Sequence, residues 1–523
     1  MSSEPLNPIC RPAPSRRYVI GAAPALMLAS CARRTAPADT LRIGIAGAPD
    51  SLDPLQGQFA AAALIYKQIY TPLTDYGADG ALAPGLARSW RVSPDGLRWT
   101  FDLFENLRWS DGAPLSAQDV LYSVRRALDP DTGYADAGDF AFVHNAKAAI
   151  AGQVPPDAVG VSAPGRTRII FQLDRPVGVF AELMREFYPQ PAHVLQRAGN
   201  HWPLTPDFVG SGPYAVQEHS QSRIVLRKNP HARLAAHVET VDVAFVEEAA
   251  TRARMVRGGD LDLVQDPPPE HIADLRTRPN VTLKGWPAPR LVYVKINHRR
   301  APLDDVRVRR ALSLAIDRDF IARKVLAGTV LPSDRIIAAP HRLPGSLAER
   351  QSQARALLAR AGHGNGLQTT LLHSGGARER IAIVLAEDWK AIGVSCALTT
   401  ADAAGLYTFI EEGAFDLALA SFDRGLKREG WRMIEPFATD GFAANFGWHN
   451  SAYDAAVAAT RAEADAARRA VLAQQAETIL QDDAAIIALA HEKTYWLAGP
   501  RLAPLAGAIP PVQWARLRLR QTP

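Results

Sequence analysis

The thiol groups are the first candidates for chemistry in this 523-residue sequence, which has cysteines at Cys10, Cys31 and Cys396. Cys31 ends the run Leu28-Ala29-Ser30-Cys31, and an apolar stretch from Tyr18 leads up to it. The basic pair Arg16-Arg17 stands before that stretch. A basic segment, a short apolar segment and small residues form a secretory signal, and a thiol at its end can be acylated. We therefore expect residues 1–31 to be a lipoprotein signal peptide, with Cys31 as the lipid attachment residue.

The apolar stretch of this signal is too short to cross a membrane. It has about ten residues and contains Pro24, against the roughly 20 residues that a spanning helix needs. The paired arginines also resemble a twin-arginine export signal that lacks the usual phenylalanine, so the twin-arginine and the general export routes both stay open. Residues 32–40 are small and polar, which suits a tether. We expect the protein in the periplasm or cell envelope, held to the membrane by its lipid.

Motifs for enzymatic catalysis are missing from the sequence. It contains no Gly-x-Ser-x-Gly, no His-Glu-x-x-His and no Cys-x-x-Cys. The 13 histidines are scattered, and His491-Glu492 by itself does not make a metal site. Cleavage would remove Cys10 and acylation would occupy Cys31, which would leave Cys396 without a second thiol for an internal disulfide. We expect no enzymatic activity, no cofactor and no metal.

The composition indicates a globular body, and the periodicity of apolar residues indicates that it is made of α/β lobes. Hydrophobic residues are 47% and charged residues 22% of the chain, and the net charge of +5 is too small and dispersed to favour nucleic acid. Apolar alternation predicts strands over 41–45, 223–226, 241–246 and 292–296. Helical spacing predicts helices over 308–324, 351–361, 379–391 and 452–482. Strands interleaved with helices are typical of α/β architecture.

Ten short sequence blocks are distributed along the chain among these predicted strands and helices. They are Asp50-Ser51-Leu52-Asp53-Pro54, Ile69-Tyr70-Thr71-Pro72-Leu73-Thr74, Leu82-Ala83-Pro84-Gly85-Leu86-Ala87-Arg88-Ser89-Trp90, Ser93-Pro94-Asp95-Gly96, Leu107-Arg108-Trp109-Ser110-Asp111-Gly112, Arg125-Arg126-Ala127-Leu128-Asp129-Pro130, Gly212-Pro213-Tyr214, Arg227-Lys228-Asn229-Pro230, Gly258-Gly259-Asp260-Leu261-Asp262 and the run Asp305 to Arg318. Taken together, the blocks resemble the extracytoplasmic solute-binding proteins of the peptide and nickel ABC-transporter type, family 5. The resemblance extends from Leu41 to about Leu505.

Most residues of these blocks have an ordinary structural interpretation. Trp90, Trp99 and Trp109 are expected to fill the core beside the turns. Asp305 is expected to cap the helix that follows it. The cluster of Arg307, Arg309 and Arg310 is expected to form a solvated or ion-paired face. The blocks therefore predict the fold better than they predict the ligand.

The resemblance implies a two-lobed α/β clamp with an extra inserted α+β domain. Carried onto this chain, the first lobe comprises 41–80, 206–288 and 491–523, the insert 81–205, and the second lobe 289–490. The chain would cross between lobes near 286–289 and near His491, which would form the hinge. Such a clamp closes on a small solute in the crevice between its lobes.

The function implied is capture of a peptide or similar small organic solute and its delivery to ABC permease subunits served by a cytoplasmic ATPase. We expect a monomer that binds no nucleic acid. The alternatives on the same scaffold are an enzyme, a sensor or chaperone-like module without a transport role, and a binder of nickel or haem complexes, because a fold does not determine a function.

The ligand site departs from the pattern of the peptide-binding relatives. They hold the α-amino group of the ligand with an aspartate that follows a run ending Ala-Gly-Trp; here Phe422 takes the tryptophan place and Gly425 the aspartate place. A second acidic residue near the chain start aligns with Ala48, close to Asp50. Two interpretations stay open: Asp423 replaces the missing carboxylate, or the ligand carries no free amine. The candidate ligand-binding residues are Asp423, Arg424, Phe422, Gly425, Ala48 and Asp50.

Overall fold

The computed structural model describes residues 39–520, except 78, 200–201, 203–207, 338–340, 425–428, 442–443, 508–509 and 511. The expected signal peptide with Cys31, most of the tether and the candidate residue Gly425 lie outside the described residues. No helix in the described ranges is long and apolar enough to cross a membrane.

The secondary structure alternates strands and helices over the described chain. The strands are β1 (Thr40–Ile45), β2 (Thr74–Tyr76), β3 (Leu82–Pro84), β4 (Ala87–Val92), β5 (Arg98–Leu103), β6 (Val161–Ser162), β7 (Arg168–Gln172), β8 (Tyr214–His219), β9 (Arg223–Lys228), β10 (Thr240–Phe245), β11 (Leu263–Gln265), β12 (Thr282–Ile296), β13 (Val330–Pro332), β14 (Leu367–Ser374), β15 (Val394–Ala401), β16 (Leu417–Asp423) and β17 (Ile486–Ala498). The helices are α1 (Ala60–Ile69), α2 (Ala117–Ala127), α3 (Ala146–Ile150), α4 (Phe180–Leu183), α5 (Ala192–Ala198), α6 (Ala249–Gly258), α7 (Ile272–Leu275), α8 (Val306–Leu314), α9 (Arg318–Phe320), α10 (Leu347–Arg360), α11 (Ala377–Lys390), α12 (Ala403–Glu411), α13 (Gly430–Ile434), α14 (Ser451–Ala462) and α15 (Ala466–Asp482).

Two long strands join the halves of an 11-stranded sheet. Its order is β15-β14-β16-β12-β17-β11-β1-β10-β9-β8, and β13 pairs with β17 beside this path. β12 and β17 lie at its centre and pair antiparallel, so the chain passes twice from one half of the sheet to the other. The register between them shifts between Pro287 and Leu291. A register shift bends a strand locally, and this one falls where the sequence predicts the crossing.

The half of the sheet that contains β14 and β16 carries helices on both faces. Leu291 and Tyr293 of β12 pack with residues of α14 and α15. Val292, Val294 and Ile296 pack on the opposite face with residues of α8, α10 and α11. Successive side chains of a strand point to opposite faces, so a continuous apolar run is buried on both sides. This half is therefore a three-layer α/β/α body.

A separate four-stranded sheet, in the order β4-β5-β7-β6, forms the core of the segment expected to be an insert. Its inner face buries Trp99, Phe101 and Phe171 against Phe180, with ring centroids 5.0 to 6.3 Å apart. The α2 helix beside it begins at a capping box, because Ser116 and Asp119 satisfy each other's backbone N–H groups. The domain boundaries themselves stay a prediction, since Asp39–Pro523 forms one compact unit by its contacts.

Most predicted elements are confirmed, and two helices are shorter than expected. The predicted strands correspond to β1, β9, β10 and β12, and the helices over 351–361 and 379–391 to α10 and α11. The single helix over 452–482 is wrong: α14 ends at Ala462, and Asp465 begins α15 by accepting the N–H of Arg468. The helix over 308–324 is also wrong, because α8 ends at Leu314 and Asp317 caps a new turn. Aspartate stops a helix by competing for its backbone N–H groups.

The sequence blocks contain both buried and exposed residues. Trp99 and Trp109 lie in the core, while Trp90 is only partly buried. Asp305 accepts the N–H of Arg307 and so caps α8. The prediction of a solvated or ion-paired face is wrong for Arg309, which is buried and donates to the carbonyl oxygens of Leu303, Asp304, Asp483 and Ala484.

Candidate functional site

A cavity of about 400 Å³ opens between the two halves of the long sheet and the inserted segment. Its walls come from several segments that are far apart in sequence. The lining includes Leu55, Phe59, Leu64 and Tyr66 around α1, Tyr134, Asp136, Glu186 and Tyr188 of the segment after β5, Arg290 in the middle of β12, Asp423 and Arg424 at the end of β16, and Trp496 of β17. Cavities of this size between lobes are typical sites for small molecules.

The wall beside α1 is held by Asp50. Its carboxylate accepts the backbone N–H groups of Gln58 at 2.7 Å and Phe59 at 3.3 Å, both of which line the cavity. The Phe59 side chain is 64% exposed, so its ring is available to a ligand. Tyr66 donates its hydroxyl to the carbonyl oxygens of the 50–54 turn. Burial and the nearby Asp50 raise the pKa of Tyr66, so its hydroxyl stays protonated. Asp50 therefore positions the wall rather than lining it.

The wall from the inserted segment is aromatic. The Tyr188 ring lies 6.0 Å from that of Tyr66, and the Tyr188 hydroxyl lies 3.2 Å from the buried Lys67 ammonium. Glu186 lies within 3.4 Å of the same ammonium and accepts the Tyr76 hydroxyl at 3.1 Å. Burial, followed by Glu186, raises the pKa of Tyr188 well above its usual value. The wall therefore combines aromatic rings with the Asp136 and Glu186 carboxylates, and the buried Lys67 ammonium pairs with Glu186.

Arg290 is the centre of the charged wall. It faces Asp423 across the β12–β16 ladder, and its Nε lies 2.6 Å from the Asp423 carboxylate. Its guanidinium also lies 3.7 Å from Asp266 and 3.8 Å from Glu492. Burial by itself would lower the pKa of Arg290, but the surrounding carboxylates, Asp423 first, raise it. The Arg290 guanidinium thus stays charged near the place where the chain passes from one half of the sheet to the other.

Asp266 is held towards Arg290 by its backbone. Its φ angle is +45°, a conformation that residues other than glycine rarely adopt. Asp266 donates its N–H to the carbonyl of Tyr495 and accepts the N–H of Tyr495 at its carboxylate. These bonds hold the strained residue at the end of β11, where its carboxylate supports Arg290 from the other half of the sheet.

Arg424 continues the charged wall beyond β16. Its backbone N–H donates to the carbonyl of Pro289, and its guanidinium lies 3.4 Å from Glu435. Burial and then the neighbouring Arg432 lower the pKa of Arg424, while Glu435 acts in the opposite direction. An anion beside this guanidinium would reduce the cost of its burial.

A second cavity, of about 950 Å³, lies on the other side of Arg290. It is bounded by residues after β11, by the turn that follows α9, by the start of α11 and by β17. Its charged lining residues are Arg290, Lys324, Arg378, Arg380, Lys493, Asp266, Glu270 and Glu492. Arg290 lines both cavities, so its guanidinium lies between a compartment lined by aromatic and charged residues and a compartment in which cations outnumber carboxylates.

The six candidate ligand residues have different places in the structure. Asp423 and Arg424 line the first cavity, whereas Phe422 is 7% exposed and packs edge to face on Tyr293 and Phe437 inside the second half of the sheet. Ala48 is half-buried and is not among the lining residues, Asp50 acts through the backbone, and Gly425 is not described. Which of them contact a ligand stays a prediction.

Arg290, Phe59 and Tyr188 were missed by the sequence analysis. Arg290 follows Pro287-Ala288-Pro289, the predicted crossing, and this position was a usable signal. The sequence contained no comparable signal for Phe59, because Phe59 lies in a loop whose conformation depends on hydrogen bonds to Asp50. Among the described residues, no group of three or more histidine, cysteine, aspartate or glutamate side chains is placed to hold a metal ion.

The two-lobed architecture and the cavity between the lobes define the class of solute-binding clamps. Residues 81–441 match the family model for bacterial extracellular solute-binding proteins, family 5 Middle. The chain belongs to this family.

Relatives match over nearly the whole chain. It is 30% identical over 494 residues to the Probable deoxycholate-binding periplasmic protein YgiS of Escherichia coli (strain K12), with 91% of each chain covered. It is 30% identical over 464 residues to the Periplasmic murein peptide-binding protein MppA of the same strain, covering 84% of this chain and 85% of MppA. The unliganded open form of MppA superposes with a TM-score of 0.81 at 27% identity, over 90% of this chain and 94% of MppA. Another MppA structure, from Escherichia coli, superposes with a TM-score of 0.71 at 26% identity, over 92% of this chain and 99% of that MppA chain.

Proposed function

We propose that this protein is the solute-binding component of an ABC importer in the cell envelope, and that it captures a peptide or similar small organic solute between its lobes. The observation that carries this proposal is the first cavity, whose walls come from both halves of the sheet and from the inserted segment. A site divided between lobes that are joined by two strands can enclose a ligand by hinge closure.

The relatives support a small organic solute. Their names describe binding of murein peptide in one case and of deoxycholate in the other. The cavity has the mixed lining that both ligands need, with aromatic rings on one side and charged groups on the other. The superposition on an unliganded open form of MppA, with a TM-score of 0.81, supports a state that is ready to accept solute.

Delivery to a permease requires the protein to stay near the membrane. We propose that Cys31 is acylated, that the chain is cleaved before it, and that the acylated Cys31 anchors a monomer at the membrane. Permease subunits with a cytoplasmic ATPase then receive the solute. Each buried methylene of an acyl chain contributes about 0.8 kcal/mol. Cys31→Ser should release the protein from the membrane fraction or leave it unprocessed, whereas Cys396→Ser should change neither property. Unchanged mass and membrane association in Cys31→Ser would contradict the anchor.

The binding proposal is tested by thermal unfolding in the presence of candidate solutes. The set contains di- to octapeptides, opines, sugars, nickel complexes and deoxycholate. A ligand that binds only the folded state at a hundredfold excess over its Kd adds about 2.7 kcal/mol to the free energy of unfolding. We expect a peptide or a similar organic solute to raise the Tm, with a stoichiometry of one by calorimetry and no chemical turnover. A flat response to every organic solute, or conversion of one into a product, would contradict the proposal.

A further inference from the structure

The Asp423 carboxylate already has a cation beside it. Asp423 and Arg290 are direct partners in the β12–β16 ladder, and both line the first cavity. The Arg290 Nε lies 2.6 Å from Asp423 Oδ2, the distance of a charge-assisted hydrogen bond. Arg290 is supported by Asp266 at 3.7 Å and by Glu492 at 3.8 Å, so carboxylates from both halves of the sheet hold it in this place.

An ammonium ligand would have to compete with this internal cation. A ligand amine that approached Asp423 would displace the guanidinium or lie next to it, and like charges side by side are unfavourable. The backbone of Arg290 is fixed in a strand and three carboxylates lie within 4 Å of its guanidinium, so displacing it from Asp423 would cost these interactions.

We propose that Arg290 acts as a specificity-determining residue that disfavours solutes with a primary amine and selects an organic anion with an apolar body. This proposal rests on the proposed function and deepens it by naming the solute class. The apolar body lies against Phe59 and the tyrosines of the first cavity. The acidic group lies on the side of Arg290 and the second cavity.

The charge of the second cavity supports the same class. Among its described lining residues, the cations Arg290, Lys324, Arg378, Arg380 and Lys493 outnumber the carboxylates Asp266, Glu270 and Glu492. Glu492 is shared between Arg290 and Arg378, at 3.8 and 3.2 Å. Burial and then the nearby Arg276 lower the pKa of Lys493, so an anion in this cavity would relieve an unfavourable positive environment.

The test compares a pair of probes that differ only at the amine. The probes are the tripeptide Leu-Phe-Leu and its N-acetylated form, both with a free carboxylate, and deoxycholate is the non-peptide anion. Affinities are measured by calorimetry for the wild type, Arg290→Gln, Asp423→Asn and the double variant. Arg168→Gln is the matched control, because Arg168 also faces an aspartate across an antiparallel ladder, with Nε 2.7 Å from Asp102, and lies outside both cavities.

We expect the wild type to bind both the acetylated peptide and deoxycholate at least tenfold more tightly than the free-amine peptide. Arg290→Gln should weaken the preferred anion at least tenfold and strengthen the free-amine peptide. That gain should disappear when Asp423→Asn is added, since the freed carboxylate causes it. Arg168→Gln should bind the three probes in the same order of affinity as the wild type.

The opposite results overturn the inference. The inference is contradicted if the wild type prefers the free-amine peptide. It is also contradicted if Arg290→Gln folds, as judged by its Tm, and keeps the wild-type ratio of the affinities for the acetylated and free-amine peptides. Both results would leave the proposed function intact. If Arg290→Gln does not fold, Arg290→Lys, which keeps the charge but shortens its reach to Asp423, should reduce the ratio, and an unchanged ratio would count against the inference. No binding of any organic solute to the wild type would instead contradict the proposed function and this inference together.

Discussion

Asp53 and Arg126 form a buried, bidentate ion pair between two sequence blocks, and the two residues are 73 positions apart. Arg126 donates from Nη1 to Asp53 Oδ1 at 3.1 Å and from Nη2 to Oδ2 at 2.6 Å. The side chains are 8% and 1% exposed. Asp53 also accepts the indole N–H of Trp202 and the backbone N–H of Leu55. The turn before α1, which carries the cavity wall, is thereby fixed to the α2 helix.

Replacement of Asp53 should destabilise the protein strongly. Asp53→Asn leaves the buried Arg126 guanidinium without its counter-charge, and breaking a buried pair in this way costs about 3–5 kcal/mol. Chemical denaturation should show a loss of that size. The control is Asp274→Asn, which breaks the exposed pair with Arg278 and should cost less than about 1 kcal/mol. Equal losses in the two variants would contradict a structural role for the pair.

Replacement of Phe59 should weaken binding without affecting folding. Its ring is 64% exposed and lines the first cavity, so Phe59→Ala removes contact area for a ligand but little of the core. We expect affinity for the solute to fall about fivefold to thirtyfold, equal to about 1–2 kcal/mol, and the free energy of unfolding to change by less than about 0.5 kcal/mol. Tyr407→Ala is the control, because Tyr407 is 67% exposed and lies outside the cavities. Calorimetry that shows equal affinity in Phe59→Ala and the wild type would count against this wall.

The inserted segment and the second half of the sheet are linked by ion pairs. Arg185, whose side chain is 4% exposed, pairs with Glu429, and Arg469 pairs with Glu182. Burial raises the pKa of Glu429, while Arg185 acts in the opposite direction. We expect Arg185→Met and Glu429→Leu each to destabilise the protein by about 2 kcal/mol, and the double variant to lose clearly less than the sum. Strictly additive losses in denaturation experiments would show that the two side chains are not coupled.

The stability of the protein should respond to the ionisation of Asp388. Burial is the main cause that raises the pKa of this carboxyl from 3.8 to about 6, although it accepts the N–H of Asp317 at 2.8 Å. A carboxyl with a higher pKa in the folded than in the unfolded state loses stabilisation as the pH rises between those values. Asp388→Asn, which keeps an acceptor, should therefore gain about 1 kcal/mol at pH 8, because solvent screening reduces the full effect.

The same substitution should bring no gain at pH 4, where the wild-type carboxyl is protonated in the folded protein. The measurement is the difference in Tm between Asp388→Asn and the wild type at the two pH values. Asp454→Asn gives a matched control, since Asp454 also accepts a backbone N–H, from Thr439, but at an exposed site. A difference that does not change with pH would contradict this role of Asp388.

Local features of the sequence determined most of the secondary structure. Apolar alternation identified β1, β9, β10 and β12 because a strand turns alternate side chains to opposite faces. The capping of α8 by Asp305 could be predicted because the bond joins residues two positions apart. The ordered series of blocks identified the family. The breaks before α9 and α15 were missed, because a helical apolar period continues across a short interruption and does not reveal it.

Only the tertiary structure decided the candidate site. Arg290 and Asp423 are 133 residues apart, and they meet because β12 and β16 pair in one particular register. A shift of one residue would turn the two side chains to opposite faces, and no local pattern near either residue specifies that register. Arg309 illustrates the same limit, since its carbonyl partners Asp483 and Ala484 lie far along the chain. The sequence by itself determined elements and family, whereas contacts between distant segments decided which charges face the cavity.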